Sequence, residues 1–328
     1  MCDDRTPPGP LAPQGRPGDP VSERQASSAL PDRAASLVAA APDTLRGILL
    51  MCAGVGLFPL MNAEVKLLAA RYPVIEITWA RFTGHLIVML IVFWPRYGRA
   101  LIATRRPLIQ LSRSALMLVS NGIFVFAIGT VPLATASAIG FTSPLIVTAL
   151  SVPLLREQVG WRRWSAVCVG FCGALLIIRP GSGLHDPAVL LLLASSGAYA
   201  LYQIATRFVM AYDNAATGII FAALLGSLGT TLVLPFIWVT PHSLPDLAML
   251  LSLGCLGGLG HLLVIKAFQA APASVIAPLG YVELLGTATL GYLIFGNFPD
   301  ALTWVGALVI IASGLYIAMR ERVRARSR

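Results

Sequence analysis

Five ionisable side chains lie inside long apolar stretches of this sequence. They are Arg81, His85, His261, Lys266 and Glu283. A charged residue at the centre of a membrane-spanning helix costs about 2.5–3.5 kcal/mol on insertion scales, so a residue that bears this cost is a functional candidate. The Glu283 carboxylate could accept a proton or bind a cationic group. The Arg81 guanidinium could bind a carboxylate or a phosphate through two parallel hydrogen bonds.

Each of these residues also has a structural interpretation, which the sequence leaves open. Glu283 could pair with an interior cation, and Arg81 and Lys266 could extend to a membrane interface. The two histidines could be neutral, hydrogen-bonded interior groups. At 1.5 Å per residue, Arg81 and Glu283 lie about 10 Å and 12 Å from the nearest end of their apolar stretches, close to the middle of a membrane core about 30 Å thick.

Uncharged polar and aromatic residues extend this candidate set. Asparagine, glutamine and tyrosine side chains within the apolar stretches could hydrogen-bond a ligand or another helix. The residues predicted to line a cavity are Arg81, Asn121, Tyr202, Gln203, His261, Lys266, Tyr281 and Glu283, with Asn62 as a further polar candidate. Three aromatic residues could stack on a flat ring, although aromatic residues in membrane helices usually serve packing. These are Trp79, Phe126 and Phe141.

Two prolines interrupt the apolar stretches that carry the candidate residues. Pro144 lies in the fourth stretch, and Pro278 lies in the ninth, five residues before Glu283. A proline inside a helix frees a carbonyl one turn earlier, and in a membrane such a carbonyl must face protein or a wet cavity. We therefore predict that both prolines mark helix breaks that act as hinges.

Other chemistries find no support in the residue pattern. Cys168 and Cys172 have the spacing of neighbours on one helix, but no histidine or further cysteine stands nearby to complete a metal site. The glycine-rich segment 254–260 follows no strand, so we interpret it as a close-packing helix face rather than a phosphate-binding loop. No Ser-His-Asp set can be assembled. We predict no enzyme activity, no catalytic residues, no metal and no cofactor.

The composition explains why these residues must be positioned by membrane helices. Hydrophobic residues make up 56% of the 328 residues and charged residues only 12%, too few charges to cover a soluble protein. Six of the fifteen acidic residues lie in the first 44 positions, which leaves the body still poorer in charge. An ordinary soluble enzyme and a nucleic-acid-binding domain are therefore excluded, and the net charge of +9 is assigned to membrane topology.

Apolar stretches long enough to cross a bilayer occur ten times. Each needs about 20 apolar residues to span about 30 Å of hydrocarbon. The predicted spans are 45–65, 74–94, 114–130, 133–155, 161–178, 187–206, 215–238, 247–268, 275–296 and 302–319. The split between the third and fourth spans rests on Pro132, which suits a tight turn.

Lysine and arginine residues are distributed unequally between the two sides of these spans. With the N-terminus inside, the inner segments hold 20 of the 24 basic residues and the outer segments three, with Arg81 inside a span. The positive-inside rule therefore places both termini in the cytoplasm. The short loops indicate a multi-pass protein of the bacterial inner membrane.

A shift of the sequence by 140 residues reveals an internal repeat. The shift superposes Pro132 on Pro272, Gly140 on Gly280 and Trp164 on Trp304, and it places the fourth and fifth spans on the ninth and tenth. Because each half contains five spans, an odd number, the second half must be inverted. We predict an all-α integral membrane protein with ten transmembrane helices in two inverted five-helix repeats. Its parts are a disordered cytoplasmic tail (1–44), a first repeat (45–181), a second repeat (187–321) and a basic cytoplasmic tail (322–328).

The two halves resemble EamA repeats of the drug/metabolite transporter superfamily over residues 45–321. The first half contains "ATASAIGFTSPLIVTALSVPLLREQVGW" and the second "IKAFQAAPASVIAPLGYVELLGTATLGYLIFGNFPD". The similar features are Arg81, Pro144, Glu157 and the small residues of the fifth and tenth spans. The family often has a glutamate after the ninth span, where this sequence has Asn297. Members carry amino acids, riboflavin, S-adenosylmethionine, opine metallophores or nucleotide-linked sugars, in either direction.

The resemblance and the repeat together imply a secondary transporter that works by alternating access. The expected substrate is a small polar metabolite such as an amino acid, metallophore, vitamin or nucleoside-like compound, with export favoured and uptake by a riboflavin- or S-adenosylmethionine-type permease as the alternative. Expected partners are the substrate, the lipid bilayer and coupling protons, with a homodimer left open and no nucleic acid. The non-transport alternatives are a membrane scaffold or sensor and a lipid-modifying membrane enzyme.

Overall fold

The computed structural model describes residues 43–156, 159–178, 187–209 and 212–326, and its regular structure is helical. Ten helical segments in this part of the chain are long and apolar enough to cross a membrane, as predicted. The helices are α1 (Thr44–Ala69), α2 (Val74–Tyr97), α3 (Pro107–Ile128), α4 (Leu133–Gly140), α5 (Ser143–Leu155), α6 (Trp161–Ile178), α7 (Pro187–Val209), α8 (Ala215–Val233), α9 (Leu244–Ala270), α10 (Ala273–Ile276), α11 (Val282–Phe295) and α12 (Ala301–Arg326).

The fourth and ninth spans are each divided, and the divisions fall at equivalent points of the repeat. The fourth span consists of α4 and α5, which meet at residues 141–142. In the ninth span a 3₁₀ helix, Ala277–Tyr281, leads into α11. A shift of 140 residues aligns Ser143, the first residue of α5, with Glu283, the second residue of α11. Pro144 is the second residue of α5, and Pro278 is the second residue of the 3₁₀ helix.

Some predicted boundaries and segments differ from, or fall outside, what the structure describes. The third span begins at Pro107 rather than 114, because proline suits the first helical position and the polar residues that follow it are buried. The N-terminal tail up to residue 42 and Glu157 lie outside the described residues. The backbone of α12 continues to Arg326, so most of the predicted basic tail extends the last helix.

Helices from the two halves interleave. α1 packs against α9 as α7 packs against α3, and α2 packs against α9 as α8 packs against α3. α2 also packs against α8, and α6 against α12. In the repeat, α1 corresponds to α7, α2 to α8, α3 to α9 and α6 to α12. Exchanging every helix for its counterpart converts each of these contacts into another contact of the set or into itself. The halves are therefore not separate lobes.

A glycine contact sets the distance between α2 and α9. A Cβ atom added to Gly84 would lie 2.7 Å from the Cα atom of Gly254, and one added to Gly254 would overlap Gly84. One turn further along α9, a Cβ atom added to Gly258 would lie 2.9 Å from the Val88 side chain of α2. The glycine-rich segment 254–260 therefore brings helix backbones into contact, as predicted from its composition.

A cluster around Asp213 connects the halves at the end of the bundle predicted to be cytoplasmic. Thr104 Oγ1 and Gln110 Nε2 donate hydrogen bonds to Asp213 Oδ2 at 2.5 and 2.9 Å, and the Arg105 backbone N–H donates to Oδ1 at 3.1 Å. Burial alone would raise the pKa of Asp213, but the hydrogen bonds from Thr104 and Gln110 hold this pKa below its ordinary value. The carboxylate is therefore the form that joins the two loops.

Arg113 extends this cluster into the bundle. Its guanidinium donates to Gln110 Oε1 at 2.7 Å, Thr206 Oγ1 at 2.8 Å, Tyr202 Oη at 3.1 Å and the Gly218 carbonyl at 3.0 Å. The residue is 2% exposed. Topology prediction counted Arg113 as a loop charge, but the structure places it inside α3, where protein groups replace its water. Arg113 thus joins α3 to α7 and α8.

A second cluster, around Asp246, lies at the opposite end of the bundle. Arg71 Nη1 donates to Asp246 Oδ1 at 3.0 Å, and Tyr72 Oη donates to Oδ2 at 2.9 Å. The Tyr72 ring stacks on His242 with 5.6 Å between centroids. In the Asp213 cluster the equivalent tyrosine, Tyr212, lies under the Arg106 guanidinium at 4.8 Å. Equivalent loops of the two halves thus carry a polar junction at each end.

Replacing Arg113 by methionine should destabilise the folded protein. The substitution keeps an apolar side chain of similar length but leaves several buried acceptors without a donor. Each such atom costs about 1–3 kcal/mol, so we expect the free energy of unfolding to fall by at least about 2 kcal/mol. Thermal unfolding of purified protein in one detergent measures the change. Arg99, an exposed arginine in the segment that precedes α3, is the control as Arg99→Met, and an equal loss in both variants would contradict the prediction.

Candidate binding cavity

A cavity of about 430 Å³ lies between helices of both halves. This volume is typical of sites for small molecules. Its wall comes from α1, α2, α3 and the divided fourth span of the first half, and from α7, α9 and α11 of the second. The lining residues are Phe58, Met61, Asn62, Arg81, Met117, Ser120, Asn121, Phe124, Ala136, Ser137, Gly140, Phe141, Ser143, Pro144, Leu192, Ser195, Ser196, Tyr199, Gln203, His261 and Glu283.

Two opposite charges reach this cavity without forming a salt bridge. Arg81 of α2 and Glu283 of α11 lie within electrostatic range of each other. Glu283 Oε1 accepts a long hydrogen bond of 3.5 Å from Asn62 Nδ2. Arg81 Nη1 is buried and has no hydrogen-bond partner in the described part of the chain. Both charged groups are therefore available to a ligand.

A pair of histidines lies beside Arg81. The rings of His85 and His261 are 5.3 Å apart between centroids, and His261 also contacts the Phe58 ring at 5.1 Å. His85 lies one residue after Gly84, so the close contact of α2 with α9 brings the two imidazoles together. His261 lines the cavity, whereas His85 stands behind it with a buried Nε2 that no described residue satisfies.

Serine residues of α3 and α7 form a neutral part of the wall. Ser120 Oγ donates to the Ser195 carbonyl at 2.9 Å, and Ser195 Oγ donates to the Ser120 carbonyl at 2.7 Å. Ser196 Oγ donates to the Leu192 carbonyl at 3.0 Å. These reciprocal bonds hold α3 and α7 together, so these three hydroxyl groups already have partners.

The structure places five of the eight predicted cavity residues, and one of the two predicted hinges, on this wall. They are Arg81, Asn121, Gln203, His261, Glu283 and the hinge residue Pro144. Asn62, the further polar candidate, lines it as well. The functional roles assigned to these residues stay predictions.

Three predicted cavity residues and Pro278 are not among the lining residues. Tyr202 accepts a hydrogen bond from Arg113 in the Asp213 cluster and stacks on Tyr199 at 5.5 Å. Lys266 is exposed on the surface of α9. Tyr281 packs edge-on against Phe141 at 5.1 Å, behind the wall. The direction of each side chain depends on the position of the residue around its helix axis. The apolar composition of a span does not predict that direction.

Sequence reasoning missed several lining residues, although one signal was present. Ser196 and Tyr199 precede the predicted residue Gln203 at intervals of three and four residues along α7, which places all three on one helical face, with Ser195 next to them. Of the three aromatic candidates, only Phe141 lines the cavity. Trp79 donates a hydrogen bond to Thr231 instead, and Phe126 is 58% exposed on the outer surface.

The described part of the chain has ten apolar spans, two of them divided, and a cavity between spans of both halves that holds unpaired charges. These features define a class of protein, the membrane transporters. Family comparison agrees with this class. Residues 45–179 and 186–319 each match the EamA-like transporter family. The chain therefore belongs to the EamA-like transporter family and carries two copies of its repeat.

Relatives transport different small metabolites. The chain is 30% identical to an S-adenosylmethionine uptake transporter of Rickettsia prowazekii (strain Madrid E) over 78% of this chain and 87% of the relative. It is 27% identical to a riboflavin transporter of Rhizobium johnstonii over 82% and 89%. It is 28% identical to the pseudopaline exporter CntI of Pseudomonas aeruginosa over 84% and 97%.

A solved crystal structure shares the fold. Its TM-score is 0.56 at 17% sequence identity, and the match covers 86% of this chain and 98% of that one. Together, family membership and the ten apolar helices establish a multi-pass membrane transporter of small molecules. Within the described residues, no group of three or more His, Cys, Asp or Glu side chains is arranged to hold a metal ion.

Proposed function

We propose that this protein moves a small metabolite with separate charged groups across the bacterial inner membrane by alternating access. The observation that carries the proposal is the pair of Arg81 and Glu283, which face one cavity without neutralising each other. A bound anionic group would satisfy Arg81, and a cationic group would satisfy Glu283. A zwitterionic substrate would therefore be favoured over an uncharged one.

The repeated arrangement of the two halves, which we propose to be inverted, supports alternating access. Helix pairs interchange with their repeat partners, and the helix divisions in the fourth and ninth spans lie at equivalent positions. An inverted pair of halves can exchange conformations, which opens the same central site to either side. Pro144 and Pro278 would act as the hinges of this exchange, with both termini in the cytoplasm.

Glu283 is also the proposed proton carrier. Its hydrogen bond to Asn62 is long, at 3.5 Å, so little structure is lost when the carboxylate changes partner or takes up a proton. Proton movement would then supply the energy, since a secondary transporter uses an ion gradient or exchange. Export is favoured over uptake, and the direction of movement is a readout of the experiment.

Metabolite measurement in cells tests this proposal. Cells that express the protein are compared with cells that carry the empty vector, and metabolites are quantified inside and outside. S-adenosylmethionine and riboflavin are then tested directly with the purified protein in proteoliposomes. A compound displaced only by the expressed protein would identify the substrate, and the side on which it accumulates would give the direction. Equal profiles with no movement of either probe, or movement of uncharged riboflavin alone, would contradict the proposal.

A further inference from the structure

Two polar atoms on the α3–α4 side of the cavity have no partner among the described residues. Asn121 Oδ1 and Ser137 Oγ are buried without a hydrogen bond, and each residue is 6% exposed. Both residues line the cavity. An unsatisfied buried polar group carries a free-energy penalty, which a ligand that supplies the missing partner would remove. The neighbouring Ser120, Ser195 and Ser196 are all bonded, so the unpaired state of Ser137 is not a general property of serines in this wall.

An aromatic ring accompanies each of these polar groups. Phe124 follows Asn121 by three residues on α3, and Phe141 follows Ser137 by four residues, directly after α4. Both phenylalanines line the cavity. Because residues three or four apart share a helical face, each helix presents one polar group and one ring to the same space.

A short turn joins α3 to α4, so the two helices run in opposite directions and each polar group lies at a depth similar to that of the other helix's ring. Asn121 lies seven residues before the end of α3, and Phe141 lies eight residues after the start of α4. Phe124 lies four residues before the end of α3, and Ser137 lies four residues after the start of α4. At 1.5 Å per residue, Asn121 and Phe141 lie about 10–12 Å from the turn that joins the two helices, and Phe124 and Ser137 lie about 6 Å from it. The wall thus has two levels, each with one hydrogen-bonding group and one aromatic ring.

This arrangement matches a planar ring with a hydrogen-bonding edge. Aromatic faces attract a flat ring by stacking, and a carboxamide presents a donor next to an acceptor, as the edge of an aminated nitrogen heterocycle does. A phenyl ring would leave Asn121 and Ser137 unsatisfied. A substrate without a ring would leave the aromatic faces without a stacking partner.

We infer that the α3–α4 wall, formed by Asn121, Phe124, Ser137 and Phe141, binds a nitrogen heterocycle of the substrate. Arg81 and Glu283 would hold the charged groups of the same molecule. The inference rests on the proposed function, because it assigns a second part of the same substrate to the same cavity. The substrate class is therefore a charged metabolite that carries a heteroaromatic ring.

Binding of four probes to the native protein in lipid nanodiscs tests the ring requirement. S-adenosylmethionine and riboflavin carry a nitrogen heterocycle, phenylalanine carries an apolar ring, and methionine has no ring. We expect at least one heterocyclic probe to bind at least about tenfold more tightly than phenylalanine and methionine, the factor that corresponds to about 1.4 kcal/mol. Equal or weaker binding of both heterocyclic probes would overturn the inference.

Matched substitutions on the same wall test the residues. Asn121→Leu and Ser137→Ala remove an unpaired polar group with little change in shape, and each should weaken binding of the heterocyclic probe about tenfold, as the loss of one buried hydrogen bond does. Ser151→Ala removes a buried hydroxyl of α5 that donates to the Thr148 carbonyl at 2.9 Å and does not line the cavity, so it should change binding less than about twofold. Equal weakening by Ser137→Ala and Ser151→Ala would contradict the assignment.

A folding control and a transport readout complete the design. Ser137→Thr keeps the hydroxyl and should restore binding, which separates the lost hydrogen bond from a folding defect. Heterocycle binding without movement into proteoliposomes would leave the binding wall in place and remove the transport proposal. Movement of a compound without a ring, with no heterocycle binding, would keep transport and remove this inference.

Discussion

Glu283→Gln should lower the transport rate at least about tenfold, because the loss of one charge partner in a low-dielectric site costs more than 1.4 kcal/mol. The neutral amide cannot hold a cationic substrate group, and it leaves the Arg81 guanidinium without its nearby negative charge. It also cannot take up a proton, so any dependence of the rate on a pH gradient should disappear. Initial rates in proteoliposomes, with and without a pH gradient, measure both effects for the compound identified in cells.

Glu64→Gln is the matched control for this substitution. Glu64 also lies in a membrane helix, where its Oε2 accepts a 2.7 Å hydrogen bond from Ser252 Oγ, but it does not line the cavity. Rates for this variant should stay within about twofold of native, since an amide can accept the same hydrogen bond. If Glu283→Gln retained the native rate and pH dependence at equal membrane abundance, both the charge-binding and the proton-carrying roles would be wrong.

Gly254→Leu should prevent the native fold from forming. Even the first side-chain carbon would overlap Gly84, and the obstacle is helix backbone rather than a movable side chain. Overpacking of a well-fitted core usually costs about 1–3 kcal/mol, and a backbone clash between two spans exceeds this range because the helices must separate. We expect less than about a tenth of the native yield of monodisperse protein, as measured by size-exclusion chromatography in detergent.

Gly56→Ala provides the corresponding control within α1. Nothing lies within 4 Å of a Cβ atom added to Gly56, so alanine should be tolerated and could even favour the helix. Gly254→Ala should fall between the two, since a single methyl group requires a smaller separation of α2 from α9. A native yield for Gly254→Leu would show that the close contact is not required for folding.

The fold was predictable because apolar length is a local property. Each span requires only a run of apolar residues, and the described residues contain ten helices of sufficient length and hydropathy where ten were predicted. The ends were less predictable where polar residues continue a helix. Arg113 resembles a loop charge in sequence, yet hydrogen-bond partners from its own helix and from α7 and α8 surround it.

The candidate site was predictable only in part. The free-energy cost of placing a charge in a membrane span identifies a candidate residue, but it does not predict the direction of its side chain. Arg81 and Glu283 stand out in sequence by their charge, and the structure places both at the cavity. Lys266 has the same cost and lies on the outer surface. Ser137 carries no such mark, since serine is common in membrane helices. Its unpaired hydroxyl depends on the packing of α4 against helices that lie far along the chain.

The packing of α1 and α2 against α9 has a consequence for biosynthesis. Arg81 is separated from Glu283 by 202 residues, and Gly84 from Gly254 by 170. At about 5–20 residues per second, the ribosome needs about 10–40 s to reach Glu283 after Arg81 has been made. During this interval α2 carries a buried cation with neither its counter-charge nor its glycine-rich partner helix. The apolar residues of α2 must therefore hold the helix in the bilayer unaided, and the cavity is completed only when the last third of the chain arrives.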